Sequence, residues 1–226
     1  AAASQSTGSS QNAPALAAQK ERITEQFTLE KTIRQYEWDS AQKLTIHVPQ
    51  LVCDSPDAES INDELAARYA AEYRDYESYP QAEVPQDEWC SQTYIDWDAY
   101  WYGDCVSLVM RSHDYDEAPW YYSGWCFDFA TGRQITTAEM LQCMELDPDT
   151  VQQQVQRQAM QAFDREMALG GYYEGLRSGG ELSQMRMDTL EYNELENLCL
   201  LLPQQDQLVL RVKYSCEEGW QQLDME

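Results

Sequence analysis

The sequence has few of the residues on which most catalytic sites depend. Only two histidines occur in 226 residues, and 15 lysines and arginines stand against 40 aspartates and glutamates. Two histidines leave almost no residues from which a Ser-His-Asp arrangement or a multi-histidine metal site could be built. A GxSxG motif and a glycine-rich phosphate loop are also missing. We predict no catalytic residues, no metal site and no cofactor.

Paired carboxylates are the one feature that could perform acid and base chemistry or hold calcium. Asp96 with Asp98 is such a pair, and another group lies between Asp114 and Glu117. A calcium loop would need a defined ligand spacing and a glycine, and neither is present. In a chain with 40 acidic residues such pairs arise by chance. Solvated carboxylates are therefore the simpler interpretation.

The scarcity of basic residues gives the chain a formal charge of −25. A field of this sign repels phosphate backbones and anionic membrane surfaces. We therefore predict no nucleic-acid partner and no membrane contact by the folded domain. Two interpretations of the charge stay open: an acidic surface that keeps a secreted protein soluble, or a surface that attracts a cationic protein.

No run approaches the roughly 18 apolar residues that a membrane-spanning helix requires. The first 20 residues are almost entirely Ala, Ser, Gln and Gly with little to bury, which is typical of a flexible tether. Such tethers commonly follow a removed secretion signal or a lipid-anchored cysteine. We therefore expect an extracellular protein tethered to the cell surface, with residues 1–26 as the tether.

Seven cysteines are present, and none belongs to a CxxC pair. Zinc is therefore disfavoured, and the choice lies between disulfides and buried thiols. An odd number leaves at least one thiol unpaired within a monomer.

Alternating and helical patterns predict the elements of the first half. Two strands are predicted at 27–38 and 43–52, each with one face buried. Ser55-Pro56 supplies a helix cap, and apolar or tyrosine side chains then recur every three or four residues as far as Tyr76. Pro80 and Pro85 mark a loop, so we divide the chain into subdomains 27–86 and 87–226.

The second half begins with a predicted strand at 90–101 and a hairpin. Alternation predicts one apolar face on each hairpin strand, formed by Val106, Leu108 and Met110 and by Trp125, Phe127 and Phe129. If the loop is 114–117, Val106 lies opposite Trp125. The same register sets Cys105 opposite Cys126 on the reverse face, so we predict a disulfide between them.

Helices and a second hairpin complete the predicted order. Thr136 with Glu139 is a capping-box pattern, and Asp147-Pro148 opens a longer amphipathic helix. A short helix at 182–192 and a hairpin of 198–202 with 208–214 follow. The predicted fold class is α+β: a mainly antiparallel sheet with helices packed on one face, in two adjoining subdomains.

Several short motifs resemble a family of Gram-positive cell-envelope proteins. The family joins two domains of unknown function, numbered 4163 and 3298, and includes lysozyme-sensing anti-sigma factors and the non-catalytic part of peptidoglycan deacetylases. The resemblance rests on the segments 43–76, 106–141 and 197–214, including Thr131-Gly132-Arg133. The family often has a Gly-Gly-Ala-His-Gly-like turn where this chain has 114–124. The resemblance implies an extracytoplasmic module that binds or senses.

Half of the aromatic residues lie between Trp89 and Gly132, more than one sheet face can bury. Core packing explains most of them, and the remainder are candidates for a binding surface. The predicted ligand-binding residues are Trp97, Trp101, Trp120, Tyr121 and Tyr122. The expected ligand is a protein or cell-wall glycan, with a cationic protein such as lysozyme as one candidate. The alternative is an accessory or catalytic domain of a cell-wall glycan-processing enzyme.

Overall fold

The computed structural model describes residues 21–35, 40–85, 90–114, 120–168, 181–201, 208–216 and 219–225. Residues 1–20 of the predicted tether lie outside these ranges. The described strands are β1 Ile23–Gln35, β2 Ser40–Leu51, β3 Cys90–Tyr102, β4 Cys105–Asp114, β5 Tyr121–Asp128, β6 Arg133–Ile135, β7 Cys199–Leu201, β8 Val209–Cys216 and β9 Gly219–Met225. The described α-helices are α1 Pro56–Leu65, α2 Thr137–Cys143, α3 Pro148–Met167 and α4 Glu181–Tyr192.

Strands β1 to β6 form one sheet in sequence order, and β7 to β9 form a second sheet. All pairs in the larger sheet are antiparallel except β2 with β3, which are parallel. Helix α1 and the helical turns that follow it, Ala66–Ala70 and Ala71–Ser78, make the crossover between these two strands. The predicted α+β class with a mainly antiparallel sheet is confirmed. The pairing of β2 with β3 joins the segments on either side of residue 86 in one sheet.

The first face of the large sheet packs against α1 and the turns after it. Alternate residues of β2, Leu44, Ile46 and Val48, are fully buried there, as the alternation predicted. Ile61 and Leu65 of α1 lie in the same core. β1 begins at Ile23, four residues before the predicted start, because Ile23 is buried opposite Leu51 and extends the pairing.

The second face of the large sheet is also covered, over β4, β5 and β6. Met140 and Leu141 of α2, Val151 and Val155 of α3, and residues of β7 and β8 pack there around Cys126. Helices therefore lie on both faces, whereas the sequence predicted one. The physical reason is that the inner strands carry apolar residues on both sides, such as Leu108 and Val109 of β4.

The predicted helix caps are present. The Ser55 hydroxyl accepts from the Ala58 backbone N–H at the start of α1, and both halves of the Thr136–Glu139 capping box form at α2. The Asp147 carboxylate accepts from the Thr150 backbone N–H at the start of α3. These contacts satisfy N–H groups that have no partner within the helix.

The predicted hairpin of β4 and β5 forms, but its register differs by two residues. Val106 pairs with Phe127 and Leu108 with Trp125. Because side chains alternate with a period of two, the shift leaves every side chain on its predicted face. The pairing begins at Ser112 with Tyr121, which makes the connection longer than the predicted loop at 114–117.

The register rules out the predicted disulfide between Cys105 and Cys126. Cys126 pairs with Ser107, and Cys105 pairs with Asp128 at the end of the hairpin. Both thiols are free, and the Cys105 Sγ instead contacts the Cys143 Sγ at 3.5 Å. The prediction was wrong because it assumed a loop at 114–117, and the longer connection moves each cross-strand partner by two positions.

Strand β9 was not predicted, since its segment, Gly-Trp-Gln-Gln-Leu-Asp-Met, shows no apolar alternation. Its pairing with β8 runs from Leu210 opposite Met225 to Cys216 opposite Gly219. The pairing is made by backbone hydrogen bonds, which do not depend on side-chain type. Among the helices of the described ranges, none combines the length and apolarity that a membrane crossing requires.

Candidate functional site

The five predicted binding residues do not form one surface. Trp97 and Trp101 pack at the edge of the core on the first face of the large sheet. Trp120 contacts side chains of the second face, and Tyr122 packs there against the small sheet. Tyr121 is exposed at the start of β5. The sheet therefore separates the two tryptophans of β3 from Trp120 and Tyr122, whereas alternation along β5 places Tyr121 on the first face.

Trp97 and Trp101 have structural partners. The Trp101 ring stacks on Phe129 with 5.4 Å between centroids, and the Arg22 guanidinium lies over the other ring of this pair, 5.2 Å from the Phe129 centroid. The Trp97 Nε1–H donates to a Glu25 carboxylate oxygen at 3.0 Å. These contacts connect the start of β1 to β3 and the turn after β5, and both rings stay partly exposed at the edge of the core.

Trp120 belongs to an exposed aromatic cluster on the second face. Its ring stacks on His113 of β4 with 4.9 Å between centroids and 12° between planes. Tyr94 of β3 meets it edge-on at 5.3 Å and 72°. Trp120 keeps 40% of its surface exposed. We name Tyr94, His113 and Trp120 the Trp120 cluster.

A polar group adjoins the Trp120 cluster along β3 and β4. The Tyr94 hydroxyl donates to an Asp96 carboxylate oxygen at 2.6 Å, and the same oxygen accepts from Arg111 Nη2 at 3.0 Å. The Arg111 Nε lies 3.4 Å from an Asp98 carboxylate oxygen. Burial, followed by the neighbouring Asp96 carboxylate, raises the pKa of Tyr94. We name Asp96, Asp98 and Arg111 the acidic group, because two carboxylates face one guanidinium.

Two polar atoms beside this surface have no hydrogen-bond partner. They are the His113 Nδ1 and the Arg111 Nε, both buried within the described part of the chain. The Arg111 Nε still forms the ion pair with Asp98 at 3.4 Å. Buried polar atoms are normally paired, and an unpaired one costs stability. The His113 Nδ1 therefore has unused capacity for a hydrogen bond.

Tyr122 lies on the same face but is occupied by packing. The Arg211 guanidinium of β8 stacks over its ring, 3.8 Å from the centroid. Tyr122 also packs with Tyr100 against Val109, Cys199 and Val209, between the two sheets. Burial, followed by the Asp98 carboxylate, raises the pKa of Tyr100. Both tyrosines thus close the core beside the acidic group.

The chemistry of the surface is suited to binding a cation. Aromatic faces attract ammonium and guanidinium groups, and the two aspartates add negative charge beside them. Across the described ranges, no three His, Cys, Asp or Glu side chains are grouped so that they could hold a metal ion.

Only part of this site could be predicted from the sequence. Alternation placed Tyr94, Asp96 and Asp98 on one face of β3, but nothing marked them as neighbours of Trp120. Arg111 and His113 joined the site only through the pairing of Tyr94 with His113 and Asp96 with Arg111. The register of β3 with β4 follows from the length of the turn at Gly103. Counting residues outward from this turn along both strands would have predicted these pairs. Comparison with protein-family models gives no match, and comparison with curated protein sequences gives none either.

Proposed function

We propose that this chain is an extracytoplasmic binding or sensing module of a bacterial cell-envelope protein, held at the cell surface by its N-terminal tether, and that it recognises a cationic protein such as lysozyme. The observation that carries the proposal is the exposed Trp120 cluster directly beside the acidic group. The Tyr94 side chain links the two, since its ring contacts Trp120 and its hydroxyl binds Asp96. The resemblance to the domains numbered 4163 and 3298 supports the same assignment.

Charge and aromatic surface contribute in different ways. The formal charge of −25 accelerates encounter with a cationic protein at low salt. The Trp120 ring then offers contact area and a face for a lysine or arginine side chain, and tryptophan is enriched among the residues that dominate binding energy. Asp98 adds a carboxylate that is 41% exposed and therefore reachable.

The test is the affinity for lysozyme, used as a cationic probe, over a salt series from about 20 to about 500 mM NaCl. We expect affinity to fall at least about tenfold across the series, because screening removes the attraction between opposite charges. Trp120→Ala and Asp98→Asn are each expected to weaken binding at low salt, by about tenfold for the tryptophan.

Matched controls come from α4 and α3. Tyr192→Ala removes another exposed aromatic ring, and Asp164→Asn removes another exposed carboxylate paired with an arginine. Both are expected to bind as the unchanged protein does. Equal losses in variants and controls would contradict the placement of the site. Affinity that does not vary with salt, or binding to peptidoglycan fragments with no binding to lysozyme, would favour the alternative of a domain of a glycan-processing enzyme.

A further inference from the structure

A pair of thiols lies where the end of α2 meets the start of β4. Cys143 is the last residue of α2, and Cys105 is the first residue of β4. The Cys105 Sγ–H donates to the Cys143 Sγ at 3.5 Å. Cys105 is 7% exposed, whereas Cys143 is exposed to solvent. Neither side chain belongs to the Trp120 cluster or to the acidic group.

We propose that Cys105 and Cys143 form an intramolecular disulfide when the protein meets a disulfide oxidant, and that this bond fastens α2 to the large sheet. A disulfide bond is about 2.0 Å long, so the sulfurs need to approach by about 1.5 Å. Rotation about the Cα–Cβ bond moves a sulfur by more than this distance, and the exposed Cys143 side chain has room to rotate.

The geometry sets the order of the chemistry. The exposed Cys143 thiolate attacks one sulfur of a small disulfide, such as oxidised glutathione, and releases one glutathione thiolate. The Cys105 thiolate then attacks the Cys143 sulfur of this mixed disulfide and expels the second glutathione. The two protons of the protein thiols end on two reduced glutathiones, so two protein thiols are oxidised and one glutathione disulfide is reduced.

The second step is expected to limit the rate. In the pair of free thiols, burial and then the contact from Cys143 raise the pKa of Cys105 to about 12, and the effect of burial persists when Cys143 is in the mixed disulfide. Only the thiolate attacks, so bond formation should accelerate as the pH rises toward 9.

Cys126 is not an equivalent partner. It pairs across the sheet with Ser107 and lies in the core beneath α2 and α3. Burial raises its pKa to about 12, although the Ser107 and Thr137 hydroxyls oppose the shift. A buried thiol with this pKa is shielded from a reagent in solvent, whereas Cys143 is not.

The test is a tryptic digest of the whole chain after treatment with oxidised glutathione, without reduction. Cleavage at arginine separates the thiols into the fragments 75–111, 112–133 and 134–157. Because 75–111 also holds Cys90, the chain used carries Cys90→Ser. We expect 75–111 linked to 134–157, with a mass two hydrogens lower than the sum. A link between 75–111 and 112–133, or both thiols alkylated in the folded protein, would overturn the proposal.

A second measurement separates this bond from an accidental one. Oxidation is expected to raise the unfolding temperature, because closing a loop of this length restricts the unfolded chain, and a reductant should reverse the rise. Cys143→Ser, at an exposed site, should fold and lose both the crosslink and the rise, while Cys53→Ser should keep them. An unfolding temperature that oxidation leaves unchanged would contradict a bond that fastens α2 to the sheet. These results do not depend on ligand binding.

Discussion

At the scale of single residues, Asn62 makes the connection on which the first half of the fold depends. Its Oδ1 accepts from the Leu51 backbone N–H at 2.7 Å, and its Nδ2 donates to the Leu51 carbonyl oxygen at 3.0 Å. β3 stops pairing with β2 at Ile46, so Leu51 has no strand on that side. The Asn62 amide therefore supplies the hydrogen bonds that a neighbouring strand would otherwise make.

Replacing Asn62 by alanine is expected to destabilise the protein by about 2 kcal/mol. The change leaves two half-buried backbone groups of Leu51 unpaired, and such groups cost about 1–3 kcal/mol each. The higher helix propensity of alanine returns about half a kcal/mol. Urea unfolding monitored by tryptophan fluorescence measures the difference. Asp63→Ala, one position on at an exposed site, is the control, and equal stability of the two variants would contradict this role.

Individual contacts of this kind could not be predicted from the sequence. The repeat of Ile61, Leu65 and Tyr69 predicted the buried stripe of α1 and of the helical turn after it, because helical spacing alone defines it. The partner of Asn62 depends on where Leu51 lies after the chain has folded. The same holds for Cys105, whose neighbour Cys143 is distant in sequence, so local alternation could offer only Cys126.

At the scale of elements, α2 shows how far a local pattern determines structure. The Thr136 hydroxyl accepts from the Glu139 backbone N–H at 3.1 Å, and the Glu139 carboxylate accepts from the Thr136 backbone N–H at 2.7 Å. Both hydrogen bonds lie within four residues, so the local sequence pattern was enough to predict them. β9 is the opposite case, because its strand conformation comes from β8 and not from its own residues.

The Glu139 cap makes part of the stability depend on pH. Hydrogen bonds, first from the Thr136 backbone, lower the pKa of Glu139 from its ordinary value of 4.5. A carboxyl whose folded pKa is lowered contributes stability that is present above the unfolded value and is lost as the pH falls through the folded value. Glu139→Gln keeps an acceptor in the cap but removes this titration.

We therefore expect the unchanged protein to unfold at a higher temperature than Glu139→Gln at pH 7. The difference should shrink as the pH falls below about 4.5. Calorimetric scans between pH 7 and pH 3 measure it. Glu72→Gln, at an exposed position outside any cap, corrects for the loss of one negative charge from an acidic protein. A difference that grows toward low pH would show that the cap does not stabilise the ionised form.

At the scale of the whole molecule, the second face of the large sheet is covered over only part of its area. The second face of β4, β5 and β6 is covered by α2, α3 and the small sheet. Polar side chains of β3, including Tyr94, Asp96 and Asp98, lie on the same face where this cover ends. Alternation in the sequence predicted which residues lie on each side of a strand. It could not predict which part of a face is covered, because the cover depends on the docking of elements far apart in the chain.

The excess of 40 acidic over 15 basic residues is expected to make the fold more stable in salt. Raising ionic strength from about 0.01 to about 0.15 M shortens the screening length from about 30 Å to about 8 Å, which weakens repulsion across the molecule. Exposed ion pairs such as Arg22–Asp104 and Arg186–Asp164 weaken as well, but each contributes at most about 1 kcal/mol.

Thermal unfolding in a NaCl series measures the balance, with sorbitol at equal osmolality as the uncharged control. An unfolding temperature that rises with NaCl beyond the sorbitol control is the expected result. A fall would mean that the ion pairs outweigh the repulsion. The sign matters for the proposed function, because binding of a cationic protein is expected to weaken over the same series. Loss of binding in a protein that is becoming more stable cannot come from unfolding, so the two measurements together identify screening of the interface as the cause.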